Sequence, residues 1–269
     1  MKNSLLALFL CAAAMASAQK IKSKKIFSND SVYISLENPF LAPVEFRIQK
    51  KDSINANFRF MTEVQFEARQ FVKDVFVLPL SIVKDTAAID INKFVTINGK
   101  LGNPKTAKHD DSYLYTLPFK KGKSVKIMQS FGGKFSHFRK HSKYAIDFTL
   151  AVGDTVTAAR DGLVIMVKED SKEHGRTYDY ADKGNKIVVY HSDGTFASYV
   201  HLDFNGALVE VGDRIEVGQP IGISGLTGFT TKPHLHFVVL EPRSVSVPMY
   251  FKGIGRKKLK PGKRYRRKK

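Results

Sequence analysis

The histidines at 234 and 236, in the run Thr231-Lys232-Pro233-His234-Leu235-His236-Phe237, are the first residues here whose spacing could do chemistry. Successive side chains of a strand alternate faces, so both imidazoles project to one side while Leu235 and Phe237 turn into a core. Neighbouring neutral imidazoles pack poorly, but they are good proton carriers and good ligands for a borderline metal such as zinc. Of the eight histidines, His137, His141, His174, His191, His201, His234 and His236 share one stretch, and only His109 lies outside it. The same stretch holds Asp147 in Tyr144-Ala145-Ile146-Asp147-Phe148, a carboxylate framed by strand-forming apolar residues.

Several ordered motifs accompany these residues: Ser136-His137, Tyr144 to Phe148, Gly153-Asp154-Thr155-Val156, Ala158 to Gly162, and His191 to Thr195 followed by Tyr199-Val200-His201-Leu202. Val211-Gly212-Asp213, Gly218 to Gly222, Ser224 to Gly228 and Pro233 to Phe237 complete the series. Together they resemble the catalytic domain of the lysostaphin-like (LytM-type, M23) zinc metallopeptidases, which cut peptides of the bacterial cell wall. The resemblance implies a zinc held by a first histidine, Asp147 and His236, with His201 and His234 as catalytic histidines that handle the proton and the oxyanion. In the simplest spacing of that family a histidine precedes the aspartate by four positions, where this chain has Lys143. Either His137 or His141 must then supply the first ligand. Ser136-His137 ahead of a loop and a Tyr-Ala-Ile-Asp-Phe strand resembles one branch of the family, which favours His137 and keeps His141 as the alternative. His191 reads as structural or as a neighbour of a ligand. Leu226 and Lys232 depart from the usual residues and bear on substrate choice.

The elements that must position these residues are mainly β. Val32 to Leu36, Val44 to Ile48, Val75 to Val83 and Phe94 to Ile97 read as strands, the last closed by the turn signal Asn98-Gly99. They predict a small β-sandwich domain, assigned residues 19–116 behind the basic linker Lys20 to Lys25, with a positioning or spacer role. A break at Leu117 to Lys123 opens an antiparallel β LytM-like peptidase domain over 117–248. Val209 to Ile221 also resembles the hammerhead turns of biotinyl and lipoyl carriers, but no modified lysine at a hairpin tip is evident. Gly212 and Gly218 would permit the turns, while Val209, Val211, Ile215, Val217 and Ile221 fill the core.

Residues 1–18 read as a secretory signal: Lys2, an apolar run from Leu5 to Met15, and Ala16-Ser17-Ala18 before Gln19. Cleavage there would remove Cys11, the single cysteine, and leave an exported envelope protein without disulfides and without a membrane span in the mature chain. The net charge of +19 concentrates in a basic C-terminal tail over 249–269, where eleven lysines and arginines from Lys252 onward meet no acid. It reads as a solvated tail, or as an electrostatic hold on anionic envelope polymers or lipids; nucleic acid is not expected for an exported chain. The leading expectation is an exported zinc metalloendopeptidase for peptidoglycan stem peptides or cross-bridges, and the alternative is a non-catalytic LytM-fold regulator of a separate cell-wall hydrolase. A carrier or polymer-binding protein would have no need of His201 and His234.

Overall fold

The structure, a computed structural model, describes residues 22–87 and 89–268. The expected signal segment lies outside the described residues. The chain forms two compact units, which part between Asn103 and Pro104.

The first unit holds two antiparallel sheets. One orders Lys22–Phe27, Ser31–Glu37, Phe71–Pro79 and Arg59–Phe60, and the other orders Glu63–Phe66, Val44–Lys50 and Val95–Leu101. Alternation explains the core: Val32, Ile34 and Leu36 are buried on one strand and Val44, Phe46 and Ile48 on another. The Phe46 and Phe66 rings meet edge to face at 5.2 Å. This is the expected small β-sandwich, with one difference in punctuation. Asn98-Gly99 does not turn; the strand continues to Leu101, with Gly99 opposite Phe46. The bend falls instead at Gly102, whose φ of 94° suits glycine and whose amide donates to the Pro43 carbonyl.

In the second unit the central sheet orders Arg214–Ile215, Gly162–Lys168, Asn185–Tyr190, Phe196–Ala207, Leu235–Glu241, Ile146–Phe148, Ser124–Gln129 and Arg264–Arg266, every neighbour antiparallel. Tyr199, Phe237, Phe148, Phe119 and Phe251 fill its core. The helical elements among the described residues are short 3₁₀ turns, so strands and the loops between them carry the site. Within Val209 to Ile221 the expected glycine turns appear, with φ of 108° at Gly212 and 89° at Gly218. Val209, Ile215 and Ile221 are buried, but Val211 and Val217 are exposed because each lies beside a turn glycine, where the chain leaves the core.

Two boundaries differ from those drawn on the sequence. Residues 104–116, placed with the first domain by the Leu117 to Lys123 break, belong to the second unit. Their strand Leu114–Tyr115 pairs with Tyr250–Phe251, and Tyr115 is fully buried in the core. Upstream of it Asp193 accepts from the Asp110 amide and from Arg160, whose guanidinium lies 4.2 Å from the Tyr113 ring centre. Burial would raise the Asp193 carboxyl, yet bonds from Thr195 and Arg160 hold it down at about 2.

The basic segment 249–269 is not a free tail over its described part. Phe251 and Leu259 are buried, Arg264–Arg266 adds an edge strand beside Ser124–Gln129, and Arg267 donates to the Phe119 carbonyl and Thr157 Oγ1 at 2.8 Å each. Apolar residues spaced among the cations bury, so charge alone does not keep the segment in solvent.

Candidate metal centre

Strand register assembles the centre. Asp147 is the middle residue of Ile146–Phe148 and lies opposite His236 on one neighbour and Gln129 on the other. Side chains directly opposite in an antiparallel pair share a face. Leu235 and Phe237 are fully buried on the other face, as alternation predicts. His137 comes from the loop after Ser124–Gln129; its ring is fully buried, and its Nδ1 lies 3.1 Å from the Ser130 carbonyl. His141, on the same loop, is exposed and stands outside the cluster.

His137, Asp147 and His236 converge, with one ligand atom from each lying within 4.8 Å of the others. Asp147 Oδ1 is 3.2 Å from His137 Nε2 and 2.9 Å from His236 Nδ1. Ligand bonds of 2.0–2.2 Å at a tetrahedral angle would separate donor atoms by about 3.3 Å, so the spacing suits a metal of zinc's size. The setting of His137 gives a second observation. A carbonyl oxygen only accepts, so Nδ1 donates to Ser130 and Nε2 is the ring atom turned toward the carboxylate. Nε2 has no other hydrogen-bond partner, which leaves it placed to share a cation with Asp147. Burial would push the Asp147 carboxyl up, but His137 and His236 hold it well below the ordinary range, so it is an anionic donor.

His201 and His234 flank the donors. His234 Nδ1 donates to the Lys232 carbonyl at 2.8 Å, and its Nε2 is 3.8 Å from Asp147 Oδ1. His201 Nδ1 donates to the Thr227 carbonyl at 2.6 Å. The two rings are 4.6 Å apart. Burial, then the neighbouring imidazoles, push His201 down to about 3, and burial also lowers His234. Both rings are therefore neutral at pH 7 and present an unprotonated Nε2.

The position of His201 requires a break in the sheet. Val200 lies opposite His236, so regular alternation would send His201 to the far face. The register shifts there, with Val200 opposite Lys186 and Leu202 opposite Asn185, and His201 takes a φ of 67°. This is a β-bulge that re-aims one side chain, and it places a non-glycine residue in the sparsely populated left-handed region.

The structure thus brings together all five residues singled out on the sequence. His191 is buried elsewhere, donating from Nδ1 to the Asp161 carbonyl at 2.7 Å, with its ring lowered to about 4 by burial. Sequence reasoning missed Gln129, Thr227 and the carbonyls of Ser130 and Lys232. A signal existed for Gln129: Val125 and Ile127 are buried in the core, a polar residue two places on is out of pattern, and a register shift turns it to Asp147 instead.

Fold and site together define a β domain with a histidine and carboxylate cluster able to hold a metal ion. Residues 141–248 match Peptidase family M23, beginning just past His137. Glycyl-glycine endopeptidase ALE-1 of Staphylococcus capitis is 44% identical over 96 residues, covering 35% of this chain and 23% of its own length. Peptidoglycan DD-endopeptidase ShyA of Vibrio cholerae is 36% identical over 94 residues, 35% of this chain and 19% of its own. Lysostaphin of Staphylococcus simulans is 38% identical over 96 residues, 35% of this chain and 17% of its own. In its solved structure, lysostaphin aligns over 46% of this chain and 47% of that chain at 30% identity, with a TM-score of 0.36. The chain spans about a fifth of the length of these curated relatives. Residues 141–248 of the second unit are thus similar to peptidase family M23.

The centre makes a prediction about the first ligand. In zinc titrations of the purified protein, His137→Ala loses most of the affinity and His141→Ala binds as the wild type does. The opposite pattern would move the first ligand to His141.

Proposed function

We propose that this protein is an exported zinc metalloendopeptidase that hydrolyses peptide bonds in peptidoglycan stem peptides or cross-bridges. The observation that carries the reading is the convergence of His137 Nε2, Asp147 Oδ1 and His236 Nδ1 beside two further imidazoles held neutral. Those three atoms would hold the ion, leaving one position of a tetrahedron for water or substrate. Zinc, when bound, would polarise the scissile carbonyl and bring the pKa of water near 7.

The remaining work falls to the chain. His201 and His234, each with Nδ1–H committed to a backbone carbonyl, keep Nε2 toward the centre as a proton acceptor. Taking the proton of the attacking water turns Nε2 into a donor. It can then stabilise the developing oxyanion and protonate the leaving amine. The carbonyl anchors fix both tautomers, so the proton has a defined place to arrive and to leave. The names of the relatives supply the substrate class, since ALE-1 is a glycyl-glycine endopeptidase and ShyA a peptidoglycan DD-endopeptidase. Export is part of the same proposal and is supported by the signal-like composition of residues 1–18. No helix among the described residues is long and apolar enough to cross a membrane. Loss of a donor would favour the regulator alternative, and His137, Asp147 and His236 are all present.

The folded basic segment would hold the enzyme to a phosphate-bearing wall polymer. Arg264 lies directly opposite Lys126, a like-charge pair that costs stability unless an anion offsets it. Arg264 and Arg266 are exposed on this edge strand, and Lys260, Lys263 and Lys268 near it in the chain are exposed too.

Mass spectrometry of fragments released from purified peptidoglycan tests the catalytic reading. Wild-type protein releases peptide-cleaved fragments, and His201→Ala or His234→Ala slows release by about 100-fold or more. Equal release by both variants would remove these histidines from the chemistry. For the basic edge, sedimentation with phosphate-polymer-bearing walls should weaken as salt rises past about 0.15 M and in the Arg264→Gln/Arg266→Gln variant. Binding unchanged in both, or binding only to anionic vesicles, would refute the polymer reading.

A further inference from the structure

We propose that Gln129 is a positioning residue that locks the metal-binding carboxylate and couples it to the loop that delivers His137; the proposal rests on the metal reading above. Gln129 closes the strand Ser124–Gln129 directly opposite Asp147. Its side-chain nitrogen donates to Asp147 Oδ2 at 3.1 Å and to Ser136 Oγ at 2.7 Å. Its Oε1 accepts from the backbone amides of Phe135 at 3.2 Å and Ser136 at 3.4 Å. A primary amide has two N–H groups and one oxygen with two lone pairs, so all four places are filled.

The orientation of that amide is dictated by its partners. Two backbone N–H groups must meet an oxygen, and a carboxylate must meet an N–H; the flipped amide would fail at both ends. With Oδ2 occupied by Gln129, only Oδ1 of Asp147 is turned toward the imidazoles, which restricts the aspartate to a single donor oxygen. The next residue does the same for the other ligand, since the Ser130 carbonyl holds His137 Nδ1. Two consecutive residues at the end of one strand therefore orient two of the three metal-binding side chains.

The loop is shaped to let this happen. A Cβ at Gly133 would lie 2.3 Å from Gln129 Cγ and 2.6 Å from its Cδ and Oε1. The side chain crosses the loop where only glycine leaves room, and any larger residue at 133 must displace it.

Groups that orient metal ligands from behind commonly contribute about 10- to 100-fold to metal affinity. The test is zinc affinity of the purified protein, read by competition with a chromophoric chelator, alongside thermal unfolding of the metal-free protein. Gln129→Met keeps the length of the side chain without its hydrogen bonds; its zinc Kd should rise by about 10- to 100-fold. Its metal-free unfolding temperature should stay close to that of the wild type. Ser136→Ala, which spares the bond to Asp147, should bind zinc nearly as the wild type does. Wild-type affinity in Gln129→Met, or an equal loss in Ser136→Ala, would overturn the proposal, the latter by assigning the effect to loop packing. If Gln129→Met unfolds early, Gly133→Ala serves instead, because it pushes the amide aside from across the loop, and unchanged affinity there overturns the proposal too. A wild-type protein that binds no zinc would end the metal reading and this role together.

Discussion

A buried, ionised carboxylate ringed by imidazoles is the constraint on which the rest of the second unit depends. Asp147 is nearly inaccessible to water, and the Ser130 carbonyl takes the Nδ1 proton of His137, which turns Nε2 toward the carboxylate. In a low-dielectric interior a carboxylate is costly unless positive charge or hydrogen bonds offset it, and a divalent cation among the three donors would do so. The geometry of the donors has to be held by the surrounding sheet.

The sheet provides that hold through register. One antiparallel ladder sets Gln129, Asp147 and His236 side by side, and a hydrophobic face of Phe148, Leu235 and Phe237 anchors the same strands from behind. Slippage by one residue would exchange the two faces, burying the imidazoles and exposing the aromatics, so the core strongly selects the register that also builds the centre. Beside the centre the register breaks between Asp147 and Phe148 against Ser124–Gln129, and again at His201. His201 reaches the centre through a bulge with strained backbone, fastened by Thr227, whose hydroxyl donates to the Leu202 carbonyl and whose own carbonyl receives the His201 ring proton. Local strain of this kind persists because bonds on both sides over-determine it.

Much of this was legible in the residues themselves. Histidine alternation at 234 and 236 predicts two imidazoles on one face and a packed Leu235 and Phe237 on the other, and the structure has both. The family resemblance contributed His201, which alternation alone would have sent into the core, because a bulge leaves no simple periodic trace. The loop between Gln129 and Asp147 hid the choice between His137 and His141, since a loop has no period from which to read direction. Sequence also misplaced the edges of the domains. Pro118 and Gly122 mark a break in strand pattern, but Tyr113 and Tyr115 lie ahead of it and belong to the second unit through the Arg160 cation and edge-to-face ring contacts that no local pattern announces. In the C-terminal segment the density of lysine and arginine obscured Phe251, Leu259 and Tyr265, the spaced apolar residues that fold it against the sheet.

Diffraction from crystals grown with zinc, recorded on both sides of the zinc absorption edge, addresses the central claim most directly. The account predicts one anomalous peak within about 2.0–2.2 Å of His137 Nε2, Asp147 Oδ1 and His236 Nδ1. It also predicts that His201 and His234 will face the peak without bonding to it. A peak held by His141 or by the flanking histidines, or full-length density for all five side chains with no peak among them, would contradict it.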